Sequence, residues 1–308
     1  MDAVEIREVT KTFGEVTAVD NLTLAVPEGS VYGFIGPNGS GKTSTMRMIV
    51  NIFHPDRGSI RVFGQQMMST RSSVIGYLPE ERGLYRKMEV LPLLEFYGEL
   101  RGGRSVTAEA RTWLNRLDLA GCDSKKIETL SKGMSQKVQF IAAVVPTPKL
   151  LILDEPFTGL DPVSRESLQS AILEMRNRGV TIILSTHDMS VAENMCDYIF
   201  MIFRGKKVLD GTLASIQSQF GSDTLRVAVE GGSRFLEGLP GVERVRDFGH
   251  VQELRMTAEC DPQEVLRTLV ARTRVNSFSV VQPSLHDIFI RIAGPAAEED
   301  KKEEAVRA

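Results

Sequence analysis

Cysteine is scarce: Cys122, Cys196 and Cys260 are the three in 308 residues, odd in number and far apart. That spacing argues against a disulfide framework or a zinc site and suits reduced thiols of a cytosolic chain, kept for packing. Long apolar runs are lacking too. Stretches such as IAAVV and LLIL fall far short of the ~20 residues that cross a bilayer, so the chain is not expected to span a membrane by itself. The first residues, MDAVEIREVTKTF, hold no basic stretch followed by an apolar one, and no secretory leader is expected. Neither sign of charge dominates. With 37 Lys and Arg against 40 Asp and Glu, the net charge of −3 gives no field that would gather nucleic acid, and no nucleic-acid partner is expected.

What is present is an ordinary globular composition, 42% apolar and 25% charged, on a chain long enough for about two domains. Short apolar runs rich in β-branched residues, VYGFI (31–35), LLIL (150–153) and VTIIL (180–184), read as buried strands. Helical stretches separate them, so an α/β fold with a largely parallel sheet is expected. From GYLPEERGLYRK to Pro146 strand signals vanish, and VLPLLEFYGELRG, TAEARTWLNRLDL and SQKVQFIAAVV all carry helical spacing. A helical subdomain inserted at about 83–148 follows. After GKKVLDGT and a helix at LASIQSQFG the pattern changes to strand, short helix, two strands, helix and strand, the ferredoxin-like β-α-β-β-α-β order. The expected division is therefore 1–221, a small α+β domain at 222–295, and a charged, disordered tail at 296–308. A last helix, SLHDIFIRIAG, places Leu285, Ile288, Phe289 and Ile292 on one face. Its opposite face is short of basic residues, which favours packing over a membrane-surface role.

One segment carries the plainest chemistry. GPNGSGKT fits G-x-x-x-x-G-K-[ST] directly after the strand VYGFI and before the helical TSTMRMIVNIF. Glycines let successive backbone N–H groups turn toward one phosphate, and the helix N-terminus adds positive potential. The candidate nucleotide cradle is therefore Gly36, Pro37, Asn38, Gly39, Ser40, Gly41, Lys42, Thr43 and Ser44, with Lys42 reaching the outer phosphates and Thr43 a ligand for Mg²⁺. LLILDEP places Asp154 and Glu155 at the end of a buried strand, where paired carboxylates are costly unless they meet cations. Asp154 is the candidate for holding Mg²⁺, and Glu155 for polarising the water that attacks the γ-phosphate. His187 follows the strand VTIILST at the same sheet edge, where ligands of α/β sheets sit, and is a candidate donor to the γ-phosphate. Asp161, in FTGLDP before a helix opened by Pro162, reads equally as an N-cap and as a functional residue. A second anion-gripping helix start, TLSKGMSQKVQF, offers Ser131, Lys132 and Gly133.

The P-loop, LSKGM, LLILDEPFTGLDP and STHD, in this order and with these gaps, resemble the ATP-binding subunit of an ABC transporter over residues 1 to about 220. The resemblance implies an ATPase with ATP and Mg²⁺ as ligands, working as a homodimer with a separate integral membrane permease at the cytoplasmic face of the membrane. It also implies a role for the second cradle. Ser131 and Gly133 would cap the γ-phosphate held by the P-loop of a partner copy, and Asp161 counts among the candidate nucleotide-binding residues. Lys132 and Met134 depart from the family's usual L-S-G-G-Q. Phe13, in KTFGEV, matches the aromatic that stacks on adenine and keeps the π-face. Glu80, in GYLPEERGLY, stands where the family carries glutamine; its carboxylate could approach Mg²⁺ or the attacking water, or simply pair with Arg82 in solvent. The C-terminal part resembles the extension of ABC-2 type exporter ATPases, which favours export. A non-transport ABC-type ATPase, of the translation or DNA-repair kind, is the alternative. It would call for two nucleotide domains in one chain or for long coiled coils, and the sequence shows neither.

Overall fold

A computed structural model of the chain describes residues 1–66, 74–81, 83–102, 105–220, 224–257 and 259–292. In chain order the elements of the first part are β1 (Asp2–Phe13), β2 (Val16–Pro27), β3 (Val31–Ile35), α1 (Lys42–Ile49), β4 (Arg57–Val62), β5 (Gln65–Gln66), β6 (Ile75–Leu78), α2 (Val90–Gly102), α3 (Thr107–Arg116) and α4 (Lys132–Val144). There follow β7 (Leu150–Asp154), α5 (Pro162–Asn177), β8 (Thr181–Thr186), α6 (Met189–Met195), β9 (Tyr198–Phe203) and β10 (Lys206–Gly211). The remainder holds α7 (Leu213–Gln219), β11 (Thr224–Val229), β12 (Val242–Asp247), β13 (Gln252–Met256), α8 (Pro262–Arg272) and β14 (Val275–Val281). The chain divides into two compact units, Met1–Thr212 and Leu213–Ala308.

The central sheet of the first unit runs β10-β9-β3-β8-β7-β6. All of its pairs are parallel except β9 with β10 at the edge. Every residue of β3, β7 and β8 is buried, because a parallel strand covered on both faces has no wet side. Alternate side chains go to opposite cores. Leu151, Leu153, Ile182 and Leu184 join the helical side with Trp113 and Phe140, while Leu150, Ile152 and Ile183 join Met46 and Ile49 of α1. The α/β core and its helical insertion, α2 to α4, stand as the sequence implies.

A second, antiparallel sheet, β2-β1-β4-β5, packs its apolar side into the same core as α1 and was not foreseen from the sequence. The cause is visible in β1: Glu8 sits at φ 50°, and the register with β2 slips between Ile6 and Val9, which breaks the period of two. Reading Val4, Ile6 and Val9 as one strand face requires knowing the bulge.

In the second unit the sheet order β12-β13-β11-β14, antiparallel throughout, is the ferredoxin-like arrangement. Its first helix shrinks to one 3₁₀ turn at Gly232–Phe235. The unit has its own core of Leu225, Val227, Leu254, Val265 and Leu269, with their neighbours. Helical residues 285–292 bury Leu285 and Ile288 fully, with Phe289 and Ile292 half-buried, so the apolar stripe is packed. The division falls earlier than the expected 221/222. Helix α7 belongs to the second unit, where Ile216 is fully buried, Gln217 Nε2 donates to the Pro283 carbonyl at 3.0 Å and Arg291 to that of Phe220 at 3.4 Å. The expected tail, 296–308, lies outside the described residues. Among the described residues no helix is long and apolar enough to cross a membrane. The three cysteines are free, and burial pushes the Cys196 thiol up to about 12, leaving it a packing group against Gly33.

Candidate nucleotide-binding site

Strands β3, β7 and β8 lie side by side and end together, with Ile35 beside Thr186 and Asp154 beside Ser185. Everything that follows these ends converges. From β3 the chain enters the loop 36–41, whose tight path demands glycine at two points. At Gly36 (φ 153°) a Cβ would run into the Ile202 carbonyl oxygen, and at Gly41 (φ 109°) into that of Ala18. Gly41 is the N-cap of α1 and gives no side-chain cap, so the first N–H groups of the helix face the loop without a competing acceptor of their own. Asn38, Gly39, Ser40, Gly41, Lys42, Thr43 and Ser44 line an open cleft of about 300 Å³ together with Ala18, Glu80 and Glu155.

Lys42 is 5% exposed and its ammonium donates to the carbonyls of Gly36 (2.6 Å) and Pro37 (3.1 Å), folded back into its own loop. Burial pushes its pKa below the usual lysine value, while the charges of Glu155, Asp154 and Glu80, in that order, pull it back up. One buried cation thus faces three carboxylates. Asp154 is fully buried; its Oδ1 accepts from Ser185 Oγ at 2.6 Å and from Thr43 Oγ1 at 3.3 Å, and its Oδ2 has no partner. An orphaned carboxylate oxygen in a dry site is a strong reason for a cation to sit there. The donor set, one carboxylate and one hydroxyl beside a phosphate cradle, fits Mg²⁺, which keeps most of its shell as water and phosphate oxygen.

Glu155 adopts φ 49°, a left-handed conformation that costs a non-glycine residue about 1 kcal/mol or more. Its N–H is held by Ser185 Oγ at 2.9 Å, and its Oε1 lies 2.9 Å from His187 Nδ1. An ionised carboxylate only accepts, so Nδ1 carries the proton in this pair, and Nε2 can donate elsewhere only in the imidazolium form. Glu155 is 7% exposed, whereas the His187 side chain is 60% exposed, so the carboxylate is sheltered and its partner faces outward.

Of the other candidates, Ser131, Gly133, Asp161 and Phe13 are not among the residues that line this cleft. Ser131 is exposed and caps α4, its Oγ accepting from Met134 N at 3.2 Å, and a Cβ added at Gly133 would meet Ser164 and Leu160 only at ordinary van der Waals distance. Asp161 acts as the N-cap of α5, accepting from Ser164 N at 3.0 Å, which holds its carboxyl below the usual range. Phe13 is 42% exposed, edge-on to Phe53 at 5.2 Å, with the Lys11 ammonium 5.4 Å from its ring centre. Glu80 is exposed at the cleft; Arg82, the alternative partner, lies outside the described residues.

Sequence reading missed Ser185. Its one hydroxyl donates to the Asp154 carboxylate and accepts from the Glu155 backbone N–H, so it ties one carboxylate and the backbone of the other to the neighbouring strand. The available signal was a small polar residue ending the apolar TIIL in register with DE. Ser185→Ala strands a buried N–H and removes a carboxylate partner. We expect a loss of about 1–3 kcal/mol, read as an earlier urea midpoint at unchanged slope.

Comparison with known proteins agrees with this geometry. An "ABC transporter" family model matches residues 19–158, and the "ATP-binding protein DrrA1-3-like, C-terminal domain" model matches 211–293. The chain is 41% identical to the uncharacterized ABC transporter ATP-binding protein YhaQ of Bacillus subtilis, over 95% of this chain and 99% of that one. It is 33% identical to the daunorubicin/doxorubicin resistance ATP-binding protein DrrA of Streptomyces peucetius, over 98% and 96%. A solved ATP-binding subunit of an ABC transporter superposes with a TM-score of 0.67 at 30% identity, covering 71% of this chain and 93% of its own. Phosphate loop, sheltered carboxylates and relatives lead to one conclusion: the chain belongs to the ATP-binding proteins of ABC transporters and is an ATPase of that family.

Proposed function

We propose that two copies of this chain bind ATP head to tail and that its hydrolysis drives export through a separate integral membrane subunit. The observation that carries the catalytic half is the connected set Asp154–Ser185–Glu155–His187 beside Lys42 at one sheet edge. In this reading the loop 36–44 cradles the phosphates, with Lys42 swinging from its own carbonyls to the outer ones. Thr43 and Asp154 hold Mg²⁺, with the Glu80 carboxylate as a further ligand; the ion, when bound, neutralises charge on the phosphates. Glu155 takes the proton of the attacking water, His187 orients Glu155 and faces the γ-phosphate, and Phe13 stacks on adenine. Ser131 and Gly133, with Asp161 close by, complete the partner's site. Export is supported by the match at 211–293 and by relatives named for drug resistance and for Nod factor export, the latter in Sinorhizobium fredii. A peripheral place at the cytoplasmic face of the membrane follows from such a partner.

The experiment is recovery of the tagged chain from detergent-solubilised membranes of the cell that makes it. A multi-spanning membrane protein is expected to accompany it and to stimulate its ATP turnover. Recovery with ribosomes or DNA and no membrane protein would overturn the transport reading in favour of a non-transport ATPase.

A further inference from the structure

Helix α4, the one opened by Ser131, carries two buried amides three residues apart, Gln136 and Gln139, 4% and 5% exposed. They share a face of the helix. Gln136 Nε2 donates to the Pro156 carbonyl at 3.1 Å, next to Glu155. Gln139 Nε2 donates to the carbonyls of Pro79 and Glu81, both at 3.3 Å, one on each side of Glu80. Both of these partners are acceptors, so the orientation of the Gln139 amide is fixed by its surroundings. Its Oε1 is buried without a partner, a destabilising state that an apolar side chain of the same size would avoid. For stability alone, glutamine is a poor choice at this position.

We propose that Gln139 is a positioning residue for ATP hydrolysis: it clamps the backbone on both sides of Glu80 and so holds that carboxylate at the nucleotide cleft. The inference rests on the proposed role of Glu80 in the reaction. A loop residue with an exposed side chain, clamped at the carbonyls of both chain neighbours, loses the backbone freedom that would let it swing away from the cleft. Glu80 lines both the P-loop cleft and an adjoining one shared with Glu155, Lys132 and Gln136, so a shift of its loop moves charge relative to the base. Gln136 holds the carbonyl of Pro156, on one side of Glu155, so α4 touches the backbone beside both carboxylates.

The test compares the full-length wild type with Gln139→Met, Glu80→Ala and the double variant. Methionine keeps the volume and brings neither donor nor orphaned acceptor. Gln139→Met is expected to fold with a single cooperative transition and to lower kcat on the order of 10-fold, with KM for ATP little changed. The double variant is expected to turn over no more slowly than Glu80→Ala alone. A readout independent of turnover is the Mg²⁺ concentration that half-maximally strengthens binding of trinitrophenyl-ATP; it should rise in Gln139→Met as in Glu80→Ala. Wild-type kcat in Gln139→Met, or multiplicative losses in the double variant, would overturn the positioning role while leaving Glu80 in place. Full activity in Glu80→Ala would instead remove Glu80 from the reaction, and the route through it.

Discussion

Glu155→Gln is expected to lower ATP turnover by about 10²- to 10⁴-fold, the range for a lost general base, while ATP still binds. The amide keeps the shape of the side chain and can still meet His187 Nδ1 through its oxygen, now 2.9 Å from Glu155 Oε1. It cannot take a proton from water. Nothing that cradles the triphosphate is altered, because Lys42, Thr43 and the N–H groups of loop and helix lie on other elements. Removing one carboxylate also takes away a negative charge that lines the cleft the triphosphate would enter. The variant should therefore trap ATP. With Mg²⁺ and ATP it is expected to elute from a sizing column as a persistent dimer, whereas the wild type returns to monomer as ATP is consumed. A variant that hydrolyses at the wild-type rate would remove Glu155 from the role of base.

The parts of this site that are contiguous in the chain were legible in the sequence. The phosphate loop needs a buried strand, a glycine-rich turn and a helix start in succession, and VYGFI, GPNGSGKT and TSTMRM spell all three. The carboxylate pair announces itself because four apolar residues lead into it. Residues whose meaning lies in a distant partner were not legible. Ser185 acts on Asp154 across 31 positions, and Gln139 on the loop around Glu80 across 58 to 60. Each is an unremarkable polar residue until the register of β7 with β8, or the packing of α4, is known. The N-terminal sheet was hidden for another reason: the bulge at Glu8 removes the alternation that period-two reading depends on. Asp161, open between two readings, is a helix cap in the single chain.

Ser131→Arg separates the two cradles. The residues that line the P-loop cleft include neither Ser131 nor Gly133, so the proposed second grip lies outside that cleft. If that second grip closes on a partner's γ-phosphate, a long guanidinium at its entrance keeps the two surfaces apart. The substitution also removes the hydroxyl that caps Met134 N, at a cost of about 0.5–2 kcal/mol, which Ser131→Ala shares and so controls for. Ser131→Arg in the Glu155→Gln background is therefore expected to elute as monomer in Mg²⁺ and ATP, while Ser131→Ala in that background retains a dimer fraction. Binding of a fluorescent ATP analogue to the single chain should match that of Glu155→Gln alone. In the otherwise wild-type chain, Ser131→Arg should lower turnover by about 10²-fold or more, as for the loss of a charge-stabilising donor set. If nucleotide binding to the isolated chain fails along with dimerisation, the start of α4 serves the site of its own chain, and the head-to-tail arrangement is wrong.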